Sequence, residues 1–170
     1  KPTQDATTDR AALLALFTAT NGPSWKTSTA WGTSASLGKW YGVTVDDDGR
    51  VSQLQLPDNR LSGAIPPELS RLTALTKLNL AKNNLTGPTP SALGGLAALQ
   101  ELYLYTNKLS GPIPSSLGGL TALQELSLYE NHLTGAIPPE LGGLTALTLL
   151  NLKANNLTGA IPPELGGLTK

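Results

Sequence analysis

Leucine and asparagine recur at a fixed interval through residues 51–170, and this recurrence constrains the fold more than any other feature. The clearest copy reads Leu75-x-x-Leu78-x-Leu80-x-x-Asn83-x-Leu85. The same asparagine returns every 24 residues, at positions 59, 83, 107, 131 and 155. Copies repeated in one register indicate a protein built from stacked, similar coils, each too small to bury its own apolar face.

Each copy contains two leucines separated by one residue, as at Leu78 and Leu80. On a strand these two side chains point to one face, and the side chains between them point to the other. A strand this short is not stable alone, so we expect neighbouring copies to stack as a parallel sheet. The leucines then face the core, and the intervening residues face outward.

The recurring asparagine is explained by the turn that follows each strand. Its side-chain amide lies where the chain turns inward, and there it can bond backbone groups that the turn leaves without partners. A buried backbone group without a partner costs about 1–3 kcal/mol. We therefore predict a ladder of structural asparagines, formed by Asn59, Asn83, Asn107, Asn131 and Asn155.

The second half of each copy reads Leu-Thr/Ser-Gly-x-Ile-Pro. Glycine permits left-handed backbone, and proline blocks a regular helix, so we expect extended segments and tight turns on this side. The isoleucine column should fill the core, and Thr89, which interrupts that column, should leave a packing defect. The isoleucines in question are Ile65, Ile113, Ile137 and Ile161.

Residues 1–49 precede the repeats and are predicted to form an N-terminal cap. Residues 1–6 have no clear pattern, and Thr7 or Thr8 can cap a helix over about residues 9–19. Its apolar stripe would be Leu13, Leu14 and Phe17, which recur at helical spacing.

The three tryptophans, Trp25, Trp31 and Trp40, are predicted to form the core of this cap. A strand over about residues 40–45 should turn at the acidic run 46–48 and pair with the first repeat strand, so that it covers the sheet edge. The acidic run does not have the alternating spacing of a helix-loop-helix calcium site, so a solvated turn is expected.

Residues 50–170 would then hold five 24-residue repeats and the start of a sixth. Because no polar capping repeat follows Lys170, we expect either a truncated fragment or another covering element. In that case Leu144, Leu147 and Leu150 would lie near an uncovered end.

Charge and composition exclude several function classes. Lysine plus arginine number 12 and aspartate plus glutamate number 12, so the basic excess expected of a non-specific nucleic-acid binder is missing. No apolar run approaches the roughly 20 residues of a membrane span. The chain has 0 cysteines, which excludes disulfides and thiolate metal sites and leaves the redox compartment open.

The motif Asn-x-Leu-Ser/Thr-Gly-x-Ile-Pro-x-x-Leu-Gly, seen at residues 131–142, resembles the plant-type leucine-rich repeat. That family includes receptor-kinase ectodomains and polygalacturonase-inhibiting proteins. The cap resembles theirs through Asp9, the Ala12-Leu13-Leu14 segment and the motif Trp40-x-Gly42-Val43. The cysteines that flank this motif in plant caps are replaced by Gly38 and Val45, as in a cysteine-less cap of algal and microbial relatives.

The resemblance implies a curved solenoid with a concave parallel sheet, and with extended or 3-10 segments on its convex side. It implies recognition of proteins, peptides or glycans, with no cofactor and no catalysis of its own. Two readings compete: a recognition module within a receptor, regulatory or defence protein, and a stand-alone inhibitor of a secreted polysaccharide-degrading enzyme. A structural scaffold is the third. Family analogy indicates the cell surface or the extracellular space, whereas the lack of cysteine leaves the cytoplasm open.

The outward positions of the strands are the candidate ligand site, because the fold does not dictate their identity. Strands lie about 4.8 Å apart, so Tyr105 and Tyr129 should be neighbours, with Tyr103 on the strand of Tyr105. Tyrosine is enriched at binding hot spots. Glu101 and Glu125 should be adjacent like charges, an arrangement that we expect to serve a basic ligand rather than folding. The complete predicted site is Lys77, Asn79, Glu101, Tyr103, Tyr105, Glu125, Tyr129, Glu130 and Lys153.

Catalytic and metal-binding alternatives are weak. His132 is the only histidine and is predicted to be an exposed edge residue, since a lone histidine cannot form a zinc site or a triad without further partners. Glu101 and Glu125 could resemble a glycosidase pair, but an open surface does not enclose a substrate. Asn84-x-Thr86 and Asn156-x-Thr158 match the glycosylation sequon, although the repeat frame generates such matches by itself.

Overall fold

The computed structural model describes residues 4–170, and its first element is the helix α1, Gln4–Ala19. The expectation for residues 1–3 lies outside the described residues. The helix begins five residues before the predicted position 9, so Thr7 and Thr8 lie inside it and do not cap it. Residues 4–6, expected to be irregular, form its first turn. The first turns of the helix contain no apolar residue that faces the core. The apolar periodicity of the sequence therefore did not locate the start of the helix.

Helix α1 packs on the repeats through Ala12, Leu13 and Leu16, which are completely buried. Phe17 is partly buried against the same core. Leu14, predicted as part of the stripe, is 37% exposed instead. The buried face follows the spacing of residues 9, 12, 13 and 16, and residue 14 lies beyond the edge of that stripe.

The tryptophans form the core of the cap, as predicted. Trp25 and Trp31 meet edge to face with ring centroids 4.8 Å apart, and Trp31 lies 5.0 Å from Trp40. Phe17 contacts both Trp25 and Trp31. Two short 3-10 helices, Gly22–Ser24 and Leu37–Lys39, connect this cluster to the helix and to the first strand. This buried aromatic cluster holds the cap together at the N-terminal end of the repeats without disulfides.

The strand β1, Val43–Val45, pairs antiparallel with β2, Val51–Gln55, and so covers the edge of the main sheet. Gly42 precedes β1 with a φ of 77°, and a Cβ at this position would lie 2.2 Å from the carbonyl oxygen of Gln55. Only glycine therefore fits between the cap and the first repeat here.

The first sheet has six strands and continues from β1 and β2 into four parallel strands contributed by successive coils. Neighbouring strands pair one coil apart, so that Leu78 aligns with Leu102 and Leu102 with Leu126. The side chains of these three leucines are fully buried. The four further strands are β4 (Lys77–Asn79), β6 (Glu101–Tyr103), β8 (Glu125–Ser127) and β10 (Leu149–Asn151).

A second parallel sheet follows the asparagine turns, and its strands come from successive coils. Each of its strands leads through a proline into a five-residue 3-10 helix. This arrangement confirms the predicted solenoid with extended and 3-10 segments opposite the main sheet. The strands are β3 (Ser62–Ala64), β5 (Asn84–Gly87), β7 (Lys108–Pro112), β9 (His132–Gly135) and β11 (Asn156–Leu157). The 3-10 helices are Pro67–Arg71, Ser91–Gly95, Ser115–Gly119, Pro139–Gly143 and Pro163–Gly167.

The repeated asparagines bond backbone groups in their own coil and in the preceding one. Nδ2 of Asn107 donates to the carbonyl oxygens of Leu104 and Leu80, at 3.1 and 3.0 Å, and its Oδ1 accepts from the N–H of Leu85. Asn59 has no earlier repeat to contact and instead bonds both the N–H and the carbonyl of Thr27 in the cap. The amides thus join each coil to the element before it.

The isoleucine column fills the core only in part. Ile65 and Ile113 are buried, Ile137 is partly buried, and Ile161 is 75% exposed. The prediction that all four fill the core is therefore wrong for Ile161, because no further coil packs against it in residues 4–170. Thr89 is buried, and its Oγ1 has no hydrogen-bond partner. This unpaired hydroxyl differs in kind from the packing defect expected at the position, which stays a prediction.

Leu144 and Leu147 are buried rather than left near an open end, and Leu150 is partly buried. Leu165 and Leu168 pack against the same core, so the last 3-10 helix covers these leucines. Among the described helices, none is long and apolar enough to cross a lipid bilayer.

Candidate functional site

The outward face of the first sheet, here called the concave face, carries three columns of side chains that the register aligns. Lys77, Glu101 and Glu125 occupy the first column on adjacent strands. Asn79 and Tyr103 are neighbours in the second column, which starts at Gln55. The third column follows the strand ends and contains Ala81, Tyr105, Tyr129 and Lys153.

The concave face brings three of the chain's 4 tyrosines together. The rings of Tyr105 and Tyr129 are stacked, with centroids 4.6 Å apart and planes at 7°. Tyr103 meets Tyr105 edge to face at 6.3 Å. All three side chains are half-buried. The result is an aromatic cluster that remains accessible from solvent and is held by ring packing.

A lysine already occupies part of this cluster. Nζ of Lys77 lies 2.6 Å from a carboxylate oxygen of Glu101 and 5.5 Å from the centroid of the Tyr103 ring. The first distance is slightly shorter than the usual charged hydrogen bond of about 2.7–2.9 Å. The second is within the roughly 6 Å of a cation–π contact. The sequence predicted these residues individually but did not predict that they bond to each other.

Glu125 also has a partner, since the hydroxyl of Tyr103 donates to its carboxylate. The expectation that the adjacent acids contribute nothing to folding is therefore wrong in detail: Glu101 is bonded to Lys77, and Glu125 is bonded to Tyr103. Ser127, which faces Tyr103 on the neighbouring strand, is small and buried, so the ring of Tyr103 can extend over it toward Glu125. Side chains from neighbouring strands therefore form one polar network.

This network changes the acidity of two of its members. The hydrogen bond from Lys77 lowers the pKa of Glu101 below its ordinary value, because it stabilises the carboxylate. Burial raises the pKa of Tyr103, and the hydrogen bond to Glu125 raises it further. At neutral pH the tyrosine therefore remains a hydrogen-bond donor beside two carboxylates.

The remaining predicted site residues differ in their roles. Oγ1 of Thr106 donates to Glu130 at 2.8 Å, so that this third acid is held beside the aromatic cluster. Oδ1 of Asn79 accepts from the N–H of Ala81, so Asn79 supports the strand end. Lys153 is exposed on the next coil. Thr106 was missed because it lies beyond the strand, where alternation no longer indicates direction.

The other candidate positions lie away from the concave face. His132 is exposed in β9 of the second sheet, and Asn84 and Asn156 of the sequons are exposed in β5 and β11. Oδ1 of Asp46 accepts from the N–H groups of Asp48 and Arg50, so the acidic run is a turn. Within residues 4–170, no group of three or more histidine, aspartate or glutamate side chains is arranged to hold a metal ion.

Comparison with protein families supports what the geometry indicates. Two family models, both described as leucine-rich repeat, match residues 49–109 and residues 122–144 and 146–168. A search of curated proteins finds no match.

Solved structures of plant proteins share the fold. A plant ice-binding protein is 35% identical with a TM-score of 0.88, over 95% of this chain and 53% of that protein. The BIR3–SERK2 complex from Arabidopsis thaliana is 35% identical with a TM-score of 0.83, over 91% and 85%. The plant peptide hormone receptor RGFR1 in complex with RGF2 is 43% identical with a TM-score of 0.67, over 70% and 20%.

The chain thus spans about half of the ice-binding protein and a fifth of the hormone receptor. The family matches cover most of the repeats, and the structural matches extend through the cap. With its 24-residue coils, asparagine ladder and second sheet, the chain belongs to the leucine-rich repeat family, and its repeats are of the plant type.

Proposed function

We propose that the concave face binds a segment of a protein or peptide partner, and that this segment inserts a lysine or arginine. One observation carries the proposal: Nζ of Lys77 lies between the carboxylate of Glu101 and the ring of Tyr103. The face therefore already accommodates a cation from its own chain. One coil further along, Glu125 offers a partner's cation a second carboxylate, and Tyr129 is the aromatic residue of that coil, since Ser127 takes the place of Tyr103.

The charges of the face favour a cationic partner. Lys77 compensates Glu101, whereas Glu125 and Glu130 have no ion-pair partner within residues 4–170. Both acids accept hydrogen bonds from neutral hydroxyls, so their negative charge is retained. Complementary charge steers association, and the stacked tyrosines provide apolar area around the cation.

The relatives named above support a receptor-like recognition module. One is a complex of two proteins, and another is a hormone receptor with its peptide. Their family also supports placement at the cell surface or outside the cell. In that location Asn84 and Asn156, which are exposed on the second sheet, would be glycosylation sites that leave the concave face clear. A mass shift removed by glycosidase, and lost in Asn84→Gln plus Asn156→Gln, tests this.

Selection of peptides from a random display library on the immobilised chain tests the binding proposal. We expect the selected peptides to be enriched in arginine and lysine. The double variant Tyr105→Ala plus Tyr129→Ala should weaken the best peptide by about tenfold or more, since both rings lie at the centre of the surface. Binding should also weaken as salt is raised, because charge contributes to it.

Tyr41→Ala is the matched control. Tyr41 is the fourth tyrosine, is 41% exposed, and belongs to the cap rather than to the concave face. Peptide affinity should be unchanged in this variant. Selection of neutral or acidic peptides, or equal affinity in the double variant and the wild type, would contradict the proposal.

A second candidate function, ice binding, is favoured by the second sheet. Every coil carries one hydroxyl at the same position of its repeat, at Ser62, Thr86, Ser110, Thr134 and Thr158. The strand pairing offsets successive hydroxyls along the sheet, so that Ser62 lies opposite Asn84 and Ser110 opposite His132. Four of these side chains are exposed, and strands of a sheet are spaced about 4.8 Å apart. Hydroxyls that recur on a rigid surface can hold ordered water, and one structural relative is an ice-binding protein.

Inhibition of ice recrystallisation tests this second candidate. Thr134→Tyr places a bulky ring among the exposed hydroxyls and should abolish inhibition, whereas Tyr105→Ala on the concave face should preserve it. No inhibition by the wild-type chain would remove this candidate and leave the peptide proposal unaffected.

A further inference from the structure

A second concavity lies on the opposite side of the molecule, between the second sheet and the row of 3-10 helices. This trough has a volume of about 760 Å³ and spans three successive coils. Its lining includes the four prolines Pro88, Pro90, Pro112 and Pro114, together with the buried residue Thr89. Its volume is typical of sites that bind small molecules.

The sequence differs from the other repeats where it lines the trough. The segments 63–69, 135–141 and 159–165 are identical and read Gly-Ala-Ile-Pro-Pro-Glu-Leu. The segments 87–93 and 111–117 read Gly-Pro-Thr-Pro-Ser-Ala-Leu and Gly-Pro-Ile-Pro-Ser-Ser-Leu. Alanine is thus replaced by proline, and the Pro-Glu pair by small residues. These changes raise the wall of the trough and remove its acidic side chains, and they occur in two adjacent coils.

Four hydroxyl-bearing residues line the trough, and Thr89 is buried whereas Ser91, Ser115 and Ser116 are exposed. Thr89 occupies the position of Ile65 and Ile113, it is only 4% exposed, and its Oγ1 has no hydrogen-bond partner. Folding gains nothing from an unpaired hydroxyl at a core position, because the group loses its bonds to water. Because Oγ1 has almost no exposed surface, a ligand in the trough provides the missing partner when the Thr89 side chain rotates its hydroxyl toward it.

The chemistry of the lining decides what kind of ligand fits. No ionisable side chain lines the trough, so it offers no compensation for a charged ligand. An extended peptide would bring an N–H and a C=O with every residue, and the proline walls have no N–H to donate. A small molecule with one polar group avoids both costs.

We propose that the trough binds a small, uncharged aromatic or alicyclic molecule whose hydroxyl or carbonyl bonds Thr89. This site is separate from the concave face and does not depend on the peptide proposal, because none of the tyrosines lines it. The ring of the ligand packs on the prolines, and its polar group reaches Thr89.

Backbone amide NMR of the full chain tests the proposal with three probes: 2-naphthol, naphthalene and 2-naphthalenesulfonate. We expect 2-naphthol to give saturable shifts, with a Kd of about 1 mM or lower, at residues 64–65, 87–92 and 113–116. Naphthalene lacks the hydroxyl and should bind about fivefold more weakly. The sulfonate should bind at least about tenfold more weakly because its charge finds no partner.

Two variants separate the role of the hydroxyl from that of the cavity. Thr89→Val keeps the shape and should reduce 2-naphthol affinity about fivefold, to that of naphthalene. Thr89→Ile restores the residue found at this position in the other coils and should abolish binding of both probes. It should fold at least as well as the wild type, which circular dichroism verifies. Thr134→Val, on the second sheet outside the trough, is the matched control and should bind like the wild type.

The proposal is overturned if 2-naphthol gives no saturable shift at several millimolar, or if its shifts cluster at Tyr103, Tyr105 and Tyr129. It is equally overturned if Thr89→Ile binds 2-naphthol as the wild type does, since Thr89 would then be irrelevant.

Discussion

The carboxylate of Asp9, which is completely buried, accepts hydrogen bonds at 2.9 and 3.0 Å from Nε and a terminal guanidinium nitrogen of Arg50. It also accepts from the N–H of Val51, the first residue of β2. A residue of the N-terminal helix therefore fixes the start of the first repeat strand. The pairing with Asp9 raises the pKa of Arg50.

Asp9→Ala should lower the free energy of unfolding by about 3 kcal/mol, because Arg50 would be left largely covered without its counter-ion. Asp5→Ala is the control. Asp5 lies 3.7 Å from the same guanidinium but is 71% exposed, so its removal should cost less than about 1 kcal/mol. Urea denaturation of both variants measures the difference. Equal losses would contradict a special role for the buried carboxylate.

Asn107→Ala should destabilise the chain by about 2–3 kcal/mol, because buried backbone groups of two coils lose their partner. Those groups are the carbonyls of Leu80 and Leu104 and the N–H of Leu85. Asn155→Ala removes the same type of bonds from a half-exposed coil, where water can replace them, so its cost should be less than half as large. Thermal and urea unfolding monitored by circular dichroism provide the comparison.

Thr106→Asn should stabilise the chain by about 0.5–1 kcal/mol. Thr106 has a φ of 52°, a left-handed conformation that is unfavourable for a β-branched side chain and tolerated by asparagine. Thr121→Asn, at an exposed position with ordinary backbone, should change stability by less than about 0.5 kcal/mol. Loss of stability in Thr106→Asn would show that the hydrogen bond to Glu130 outweighs the backbone strain.

The ion pair between Lys77 and Glu101 should make a small contribution to stability that depends on pH. Its hydrogen bond lowers the pKa of Glu101 below the ordinary 4.5, so the contribution is complete above pH 4.5 and is lost as the pH falls through the lowered value. Wild-type and Glu101→Gln chains should therefore differ in free energy of unfolding at pH 7 and converge in acid. Denaturation at a series of pH values checks this, and a difference that grows in acid would have the wrong sign.

The repeats could be predicted from the sequence because one period fixes both the strand register and the direction of every side chain. Tyr105 and Tyr129 were placed side by side by counting alone, and the distances agree. Bonds between side chains could not be counted in this way. The contact of Lys77 with Glu101 depends on the rotamers of two flexible side chains, about which the spacing of residues contains no information.

The cap was less predictable because it does not repeat. Its helix starts at Gln4, where no apolar residue marks the boundary, and Leu14 is exposed although helical spacing placed it near the stripe. The exposure of Ile161 had a different cause, since a position that is buried or partly buried in the inner coils lacks a neighbour in the last described one. Local pattern therefore predicts the elements, and position along the stack decides which faces are covered.

The direction in which the asparagine amides reach has a consequence for how such chains change in length. Each amide bonds its own turn and the turn before it, so a duplicated 24-residue unit would arrive with both halves of the bonding pattern intact. Gene duplication could then lengthen or shorten the molecule by whole units without a compensating mutation. An insertion of any other size would interrupt this bonding pattern. The number of residues in a coil is therefore constrained, whereas the number of coils is free to vary.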